Sequence, residues 1–381
     1  MTNKKTNFAA WIALWRVSGI GCVRYKKLLD VFESPEVALD ASSAQLKKAG
    51  ISERLIKNIN SQTLASAAPD IQWLESSEQH HLITFFDPRY PQLLKEIPVS
   101  PPLLYVHGNA DLLNDPQIAI VGSRNPTQGG QNTCYEFSKH LAQSGLCITS
   151  GMALGIDGLA HKGALDVNGI TIAVVATGID RVYPARHREL AHRIVEQGAI
   201  ITELPIGVSP LARNFPRRNR IISGISLGTL IVEAALKSGS LISARYASEQ
   251  GREVFAIPGS IHNPLARGFH QLIRQGAKLT ETAEHILEEL APQLEHLLLK
   301  PSSLPNNYEN KSVQNNSYQA LPNADQRLVL ETMGYDPLSI DQLVIQTGLT
   351  PEALSSILLI LELNGFIAAS GRGSYTRIKE K

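Results

Sequence analysis

The stretch 215–226 reads Phe-Pro-Arg-Arg-Asn-Arg-Ile-Ile-Ser-Gly-Ile-Ser and concentrates side chains that could hold an anion. Pro216 can occupy the first turn of a helix, where its missing N–H breaks no hydrogen bond. Three arginines would then crowd the positive end of the helix, which is unfavourable unless an anion binds there. Taken alone, such a run is more often a solvated basic helix end. With its neighbours it predicts a phosphate site, whose candidates are Phe215, Arg217, Arg218, Asn219 and Arg220.

Further candidates follow apolar segments that are typical of buried strands. Glycine lets a backbone approach a phosphate, serine adds a hydroxyl group, and arginine offers a planar fork for two oxygens. Because ligands bind beyond the carboxyl ends of parallel strands, we expect these loops to meet in one phosphate-binding rim. The candidates are Gly122, Ser123, Arg124, Ser150, Gly151, Gly155, Lys237, Ser238, Gly239 and Ser240.

Acidic and titratable residues at the same strand ends do not form a recognisable catalytic set. Each has a structural explanation, since Asp157 could cap a helix and Glu203 and Glu233 could pair with nearby arginines. A functional role for each is an equally good explanation. His161 is the best candidate for a proton carrier on the rim, but a structural position in the helix after Asp157 explains it better. The segment after Val121 lacks the second and third glycines of a dinucleotide fingerprint. We therefore assign no catalytic residue, and the residues do not indicate catalysis.

Composition limits the class of protein. Cys22, Cys134 and Cys147 form neither a CxxC pair nor a disulfide framework, and no metal site or cofactor is indicated. No apolar run is long enough to span a bilayer, and the polar segment 1–7 lacks the apolar core of a signal peptide. We therefore expect a cytoplasmic protein. Segment 117–280 carries 17 Lys and Arg against 10 Asp and Glu, so an acidic partner is expected there.

The elements that must position the rim alternate along the middle of the chain. Apolar strands are predicted at 118–121, 146–149, 171–176, 199–202, 229–232 and 254–257. Helices are predicted near 129–143, 158–167, 186–196, 240–249 and 269–275. Continuous apolar strands alternating with helices favour a parallel sheet covered on both faces. The fold class is therefore α/β, with a Rossmann-like doubly wound parallel sheet.

Two other regions flank this sheet. Segment 8–79 predicts helices, with a Gly-Ile-Gly turn at 19–21 that gives it a helix-hairpin-helix-like (SAM-like) character, and prolines mark a connector after it. Segment 323–381 predicts three helices and a hairpin, which is the winged-helix pattern, with 5 basic against 7 acidic residues. The excess of acidic over basic residues favours a role in protein contact or regulation over tight DNA binding. The expected domains are 1–82, 83–299 and 323–381, with a flexible linker at 300–322 rich in Pro, Ser and Asn.

At these residues the chain resembles the DNA-processing protein A family (DprA, also called Smf). The blocks that carry the resemblance lie in family order at 122–124, 150–157, 177–184, 215–224, 237–243 and 254–259. The helical N-terminal region and the winged-helix tail also match, so the resemblance covers nearly the full chain. One departure is Gly-Phe-His-Gln at 268–271, where many members carry Gly-Thr-Asn, which leaves the contact made by His270 open.

The resemblance implies a sequence-independent single-stranded DNA-binding protein of natural transformation. It implies that the protein protects incoming DNA, loads the RecA recombinase and forms a homodimer, without cofactor, metal or membrane. Phosphate contacts can track a backbone while ignoring sequence, and Phe215 could stack on a base or pack beneath the arginines.

Two alternatives use the same rim. Arg218-Asn219-Arg220, Gly228-Thr229 and Glu233 are similar to the arginine and Gly-Thr-x-x-Glu pattern of nucleotide phosphoribohydrolases, although the preceding glycines are absent. The rim could also hold a mononucleotide, whose binding the winged helix would transmit.

Overall fold

The computed structural model describes residues 8–59, 63–235, 238–260, 266–298, 324–333, 337–363, 366–369 and 374–378. Within these ranges the strands are β1 (His80–Thr84), β2 (Leu103–Gly108), β3 (Gln117–Gly122), β4 (Cys147–Ser150), β5 (Thr171–Val174), β6 (Ala199–Thr202), β7 (Gly228–Val232), β8 (Glu253–Ala256), β9 (Lys278–Leu279), β10 (Leu338–Ser339), β11 (Ile367–Ala369) and β12 (Ser374–Arg377).

The helices lie before, between and after these strands. In chain order they are α1 (Phe8–Arg16), α2 (Cys22–Phe32), α3 (Pro35–Asp40), α4 (Ser43–Lys48), α5 (Glu53–Ile56), α6 (Ala68–Glu75), α7 (Gln92–Glu96), α8 (Gln128–Gln143), α9 (Ile156–Leu165), α10 (Arg188–Gln197), α11 (Asn214–Gly224), α12 (Ser240–Glu249), α13 (Arg267–Arg274), α14 (Ala283–Leu298), α15 (Ala324–Met333), α16 (Ile340–Thr347) and α17 (Pro351–Leu363). Short 3₁₀ turns occur at Leu64–Ala67, Ala110–Asn114 and Ala185–His187. None of the helices so described is both long and apolar enough to cross a membrane.

One large sheet dominates the fold, with strand order β1-β2-β6-β5-β4-β3-β7-β8-β9. The six predicted strands are present as β3 to β8 and pair in parallel, as their continuous apolar sequences indicate. The chain builds outward from β3 through β4, β5 and β6, and then returns to place β7 on the other side of β3. The strand order therefore reverses at β3, and the carboxyl end of β3 is where such a sheet binds ligands.

Two strands at one edge of the sheet were not predicted from the sequence. β1 pairs antiparallel with β2, and β2 pairs antiparallel with β6, in a region expected to be helix and connector. The prolines that mark the connector lie in the loops beside β2 rather than within it. Four of the six residues of β2 are aliphatic or aromatic, and it is buried almost throughout. Its core position, rather than its local pattern, therefore decides its structure.

The N-terminal helices pack against one face of this sheet and share its apolar core. Trp11, Trp15 and Tyr25 belong to the same buried cluster as Tyr105 of β2 and Ala173 of β5. The first two helices and the turn between them occur where a hairpin was expected. The helical region is therefore fixed against the sheet by a continuous core.

A buried carboxylate reinforces this packing. Asp70 of α6 is fully buried and accepts hydrogen bonds from Arg16 Nε (2.6 Å), Tyr105 OH (2.8 Å) and Ile206 N (3.0 Å). Each of its partners comes from a different part of the fold, and each satisfies part of a charge that would otherwise be costly to bury.

The C-terminal region has the predicted winged-helix fold. Helices α15, α16 and α17 enclose a small core, and β10, β12 and β11 form an antiparallel sheet beside them. Ser339 caps α16 by accepting from Gln342 N, and Gly348 ends that helix with φ +70°. The linker expected at 300–322 and the hairpin tip at 371–373 lie outside the described residues.

Candidate nucleic-acid interface

The loop after β3 begins the predicted rim, at the point where the strand order reverses. A Cβ atom on Gly122 would lie 1.8 Å from the Val232 carbonyl oxygen, so only glycine fits beside β7. Ser123 is fixed by its neighbours, because its carbonyl oxygen accepts from Ile156 N (3.1 Å) and its hydroxyl oxygen accepts from Asn125 N (3.1 Å). Arg124 then projects from this anchored turn into solvent. The loop holds an exposed guanidinium group at the ligand-binding end of the sheet.

Arg124 and Phe215 lie close together, as predicted for residues of one phosphate-binding rim. The Arg124 guanidinium carbon lies 5.7 Å from the centre of the half-buried Phe215 ring. Tyr183 packs edge-on against the same ring at 5.9 Å and is 48% exposed. Sequence reasoning did not select Tyr183, although it lies in the loop region that follows β5. A guanidinium group and a second aromatic ring thus both lie against Phe215, a combination that suits both a phosphate and a base.

Arg218 occupies the floor of the rim rather than its surface. Its side chain is buried over Gly151, where a Cβ atom would lie 1.8 Å from Nη1. Burial lowers the pKa of Arg218, and the nearby Asp157 carboxylate opposes that effect. Two of its buried nitrogens, Nε and Nη1, have no hydrogen-bond partner in the described structure. Buried donors of this kind are rare without a partner, and an anion would satisfy them.

Arg220, predicted as a phosphate contact, instead takes the structural alternative in which Glu203 pairs with a nearby arginine. Its Nη2 and Nη1 atoms bond the two carboxylate oxygens of the buried Glu203 at 2.7 and 3.1 Å. Nη2 also donates to Cys22 Sγ at 3.2 Å, which brings α2 against α11. Arg217 reaches the same carboxylate through Nε at 3.2 Å, yet 45% of its side chain stays exposed. Of these two arginines, Arg217 alone therefore presents charge to a ligand.

The loop before α12 lies beside α11. The side-chain amide of Asn219 donates to the Gly239 carbonyl oxygen at 3.3 Å. The hydroxyl groups of Ser238 and Ser240 bond each other at 2.6 Å, and Ser240 N donates to Ser238 Oγ. These residues are brought to the helix as expected. Lys237, the cation predicted in this loop, lies outside the described residues.

The loop after β4 contributes close backbone packing to the rim rather than side-chain contacts to a ligand. Ser150 is fully buried, and its hydroxyl group donates to the Ile120 carbonyl oxygen at 2.5 Å. Gly155 has φ +80°, and a Cβ atom there would lie 2.4 Å from the Ser123 carbonyl oxygen. Gly155 thus lets this loop pack directly against the loop that carries Arg124. We leave Ser150 out of the proposed contact set because its hydroxyl group faces the core.

Two titratable residues of the rim form hydrogen bonds within the protein. His161 is fully buried between Thr171 Oγ1 (2.7 Å) and the Gly151 carbonyl oxygen (2.6 Å), and burial lowers its pKa to about 4. Glu233 has φ +54°, and its carboxylate accepts from the backbone N–H and the hydroxyl group of Thr127, at the start of α8. His161 is therefore neutral at physiological pH, and each oxygen of Glu233 accepts a hydrogen bond from Thr127.

A basic cleft of about 690 Å³ continues from Arg124 between α8, α9 and α10. Lys162, Arg186 and Arg193 line it, while Glu189 is its one acidic side chain among the described lining residues. Arg193 is partly neutralised by Asp166 at 2.8 Å. The excess of cations extends the positive surface of the rim to one side of Arg124.

Comparisons with known proteins place this geometry in one family. The model of the DNA recombination-mediator protein A family matches residues 81–291, and that of the DprA winged helix domain matches residues 316–371. Protein Smf from Escherichia coli K12 is 43% identical over 335 residues, which cover 88% of this chain and 87% of that protein. Protein Smf from a Synechocystis strain is 35% identical, over 97% of this chain and 98% of its own length.

Solved structures give the same result. The X-ray structure of DNA processing protein A from Streptococcus pneumoniae has a TM-score of 0.64 at 34% identity, covering 74% of this chain and 97% of its own. DNA processing protein A from Helicobacter pylori, whose structure is described for its single-stranded DNA binding mode, has a TM-score of 0.51 at 28% identity. That match covers 56% of this chain and 97% of the other.

Proposed function

The chain belongs to the DNA recombination-mediator protein A family, and from that premise we propose that its rim binds single-stranded DNA without regard to sequence. The observation that carries the proposal is the group formed by Arg124, Phe215 and Tyr183 at the point where the strand order reverses. Arginine contacts a phosphate of any nucleotide, and an aromatic ring stacks on any base. Neither contact distinguishes one sequence from another.

The proposed contact set separates exposed from buried groups. Arg124 and Arg217 meet phosphates directly, and the buried Arg218 adds positive charge beneath them. The predicted loop at 237–240 adds hydroxyl groups and, with Lys237, a further cation. Arg220 supports the site indirectly by holding α11 against Glu203.

Family membership supports a wider role in the cell. We infer that the protein protects incoming single strands in the cytoplasm during natural transformation, loads the RecA recombinase on them and acts as a homodimer. Two relatives named DNA processing protein DprA, from Bacillus subtilis and Streptococcus pneumoniae, are 44% and 43% identical over about half of this chain. We also propose the four regions 1–82, 83–299, 300–322 and 323–381 as its organisation along the chain, with the first region sharing the core of the second and with their boundary inside β1.

The outer surface of the winged helix supports contact with protein rather than DNA. Leu359 and Ile360 are 58% and 43% exposed on α17, and Ile345 of α16 is 81% exposed. A DNA-reading helix would instead present cations and hydrogen-bonding groups to a groove. We therefore propose a protein-contact or regulatory role for this region.

The geometry favours binding over catalysis. The phosphoribohydrolase alternative needs an acidic residue free to assist bond cleavage, and Glu233 is its candidate. Both oxygens of that carboxylate are bonded to Thr127 and thereby anchor the start of α8. Release of free base from nucleoside monophosphates, lost in a Glu233→Gln variant, would contradict this conclusion.

Binding of labelled single strands and matched duplex across a salt series tests the proposal. We expect a preference for the single strand and a steep salt dependence, because bound phosphates release counterions. Arg124→Ala should weaken binding at least about tenfold, since a charged hydrogen bond contributes roughly 1.5–3 kcal/mol. Arg54→Ala, which removes an exposed arginine from α5, is the matched control. Equal affinity for duplex, or normal binding by Arg124→Ala, would place the site elsewhere and favour the nucleotide alternatives.

A further inference from the structure

A second aromatic surface lies outside the rim, where the loop after β1 meets α1, α2 and α7. Phe86 is 62% exposed, although its ring position is fixed. The rings of Trp11 and of the neighbouring Phe85 each pack edge-on against it, with ring centres 5.8 Å away. An isolated exposed apolar residue is ordinary. A ring that is held in place by other rings and left open to solvent is a stacking surface.

Two lysines flank this surface. Lys26 Nζ of α2 lies 5.7 Å from the centre of the Phe85 ring, and Lys95 Nζ of α7 lies 5.8 Å from it. Lys95 also lies 5.8 Å from the centre of the Tyr90 ring. Cation–π attraction keeps both ammonium groups beside the aromatic cluster. Neither lysine forms an ion pair with any residue in the described ranges, so both charges are available to an anion.

Helix α2 connects this surface to the rim. Its first residue, Cys22, accepts a hydrogen bond at Sγ from Arg220 of α11. The guanidinium carbon of Arg217 lies 5.8 Å from the centre of the Trp15 ring, near the end of α1. Lys26 follows Cys22 by one helical turn, which is about 6 Å along the helix axis. Val23, on the turn between them, is 65% exposed. The start of α2 therefore lies beside α11, and Lys26 lies one turn farther along the same helix.

We propose that Phe86, Lys26 and Lys95 form a second contact for the strand that the rim binds, with a base on Phe86 and phosphates at the lysines. The proposal rests on the proposed function of the rim. The expected ligand is single-stranded nucleic acid, because a base in a duplex has no free face for the ring. The strand would leave the rim at Arg217 and cross the start of α2 before reaching this second contact.

Oligonucleotide length separates the two contacts. We would measure the affinity of the full chain for oligothymidylates from about 4 to about 20 nucleotides, a range that spans one and several subsites. Phe86→Ala should bind the shortest ligand that the rim holds like the unsubstituted protein, and should bind the longest about tenfold more weakly. The double variant Lys26→Ala, Lys95→Ala should also lower the salt dependence for long ligands alone. Lys48→Ala and Leu64→Ala, at exposed positions on other elements, are the matched controls.

A direct readout comes from Phe86→Trp. It should retain the affinity for long oligonucleotides, and the introduced indole should be quenched by them and not by short ones. Long-ligand affinity of Phe86→Ala equal to that of the unsubstituted protein, or an equal loss for every length, would overturn the second contact. If the unsubstituted protein bound no single strand of any length, the proposed function itself would fail.

Discussion

Replacing Glu203 with glutamine should destabilise the protein strongly. The carboxylate is 3% exposed, and it neutralises Arg220, whose side chain is 6% exposed, through bonds of 2.7 and 3.1 Å. Glutamine keeps the shape but removes the charge, which leaves a buried guanidinium group without its counterion. Breaking a buried pair in this way costs about 3–5 kcal/mol. Because glutamine retains one acceptor oxygen, we expect a loss near the lower figure.

Urea unfolding followed by tryptophan fluorescence measures this loss. The three tryptophans, Trp11, Trp15 and Trp73, all lie in α1 and α6, so their emission reports on the helices that Glu203 helps to hold. Trp15 Nε1 itself donates to the Glu203 carbonyl oxygen at 2.7 Å.

The matched control is Glu249→Gln, which removes an exposed i,i+4 partner of Arg245 and should change stability by less than about 0.5 kcal/mol. Arg124→Ala should show the opposite pattern to Glu203→Gln, with weak DNA binding and unchanged stability. If Glu203→Gln unfolded at the same urea concentration as Glu249→Gln, the structural role assigned to Arg220 would be wrong.

Two further substitutions test the support beneath the rim. The pKa of the buried His161 is lowered from 6.5 to about 4, so between these values the unfolded chain binds a proton that the folded chain does not. Stability should therefore fall as pH falls from 6.5 to about 4, by up to about 3 kcal/mol from this residue, and His161→Gln should flatten that part of the unfolding profile. Gly122→Ala should cost about 1–3 kcal/mol in urea unfolding, because its Cβ atom would overlap the Val232 carbonyl group. Gly239→Ala is its control, since a Cβ atom there meets nothing within 4 Å, and an equal loss in both variants would contradict the packing argument.

The parallel part of the sheet could be predicted from the sequence because each of its strands has a recognisable local pattern. β3 to β8 are short apolar runs separated by helices, and that pattern is specific to buried parallel strands. β2 also carries an apolar run, but prolines and polar loops surround it, and β1 and β2 pair antiparallel at the edge of the sheet rather than in the alternating parallel pattern. The topology then placed the loop after β3 where a ligand-binding loop was expected.

The roles of the arginines could not be read in the same way. Arg217 and Arg220 lie three residues apart on α11 and share the face that meets Glu203, whereas Arg218 lies on another face of the helix. Arg220 meets Glu203, seventeen residues away in sequence, and Arg218 lies over Gly151 in another loop. Such pairings depend on how α11 is rotated against the sheet, which no local pattern specifies. Tyr183 was missed for the same reason, because only the folded chain brings it against Phe215.

The shared core has a consequence for how this protein can be dissected. Trp11, Trp15 and Tyr25 cover Tyr105 and Ala173, so a truncation that removed α1 to α6 would uncover the apolar face of the sheet. It would also leave Arg220 and Glu203 without their cover from α1 and α2. Such a fragment should aggregate, and its failure to bind DNA would say nothing about the rim. The helical region is not a detachable module, and its contribution to DNA binding must be measured with point substitutions in the intact chain.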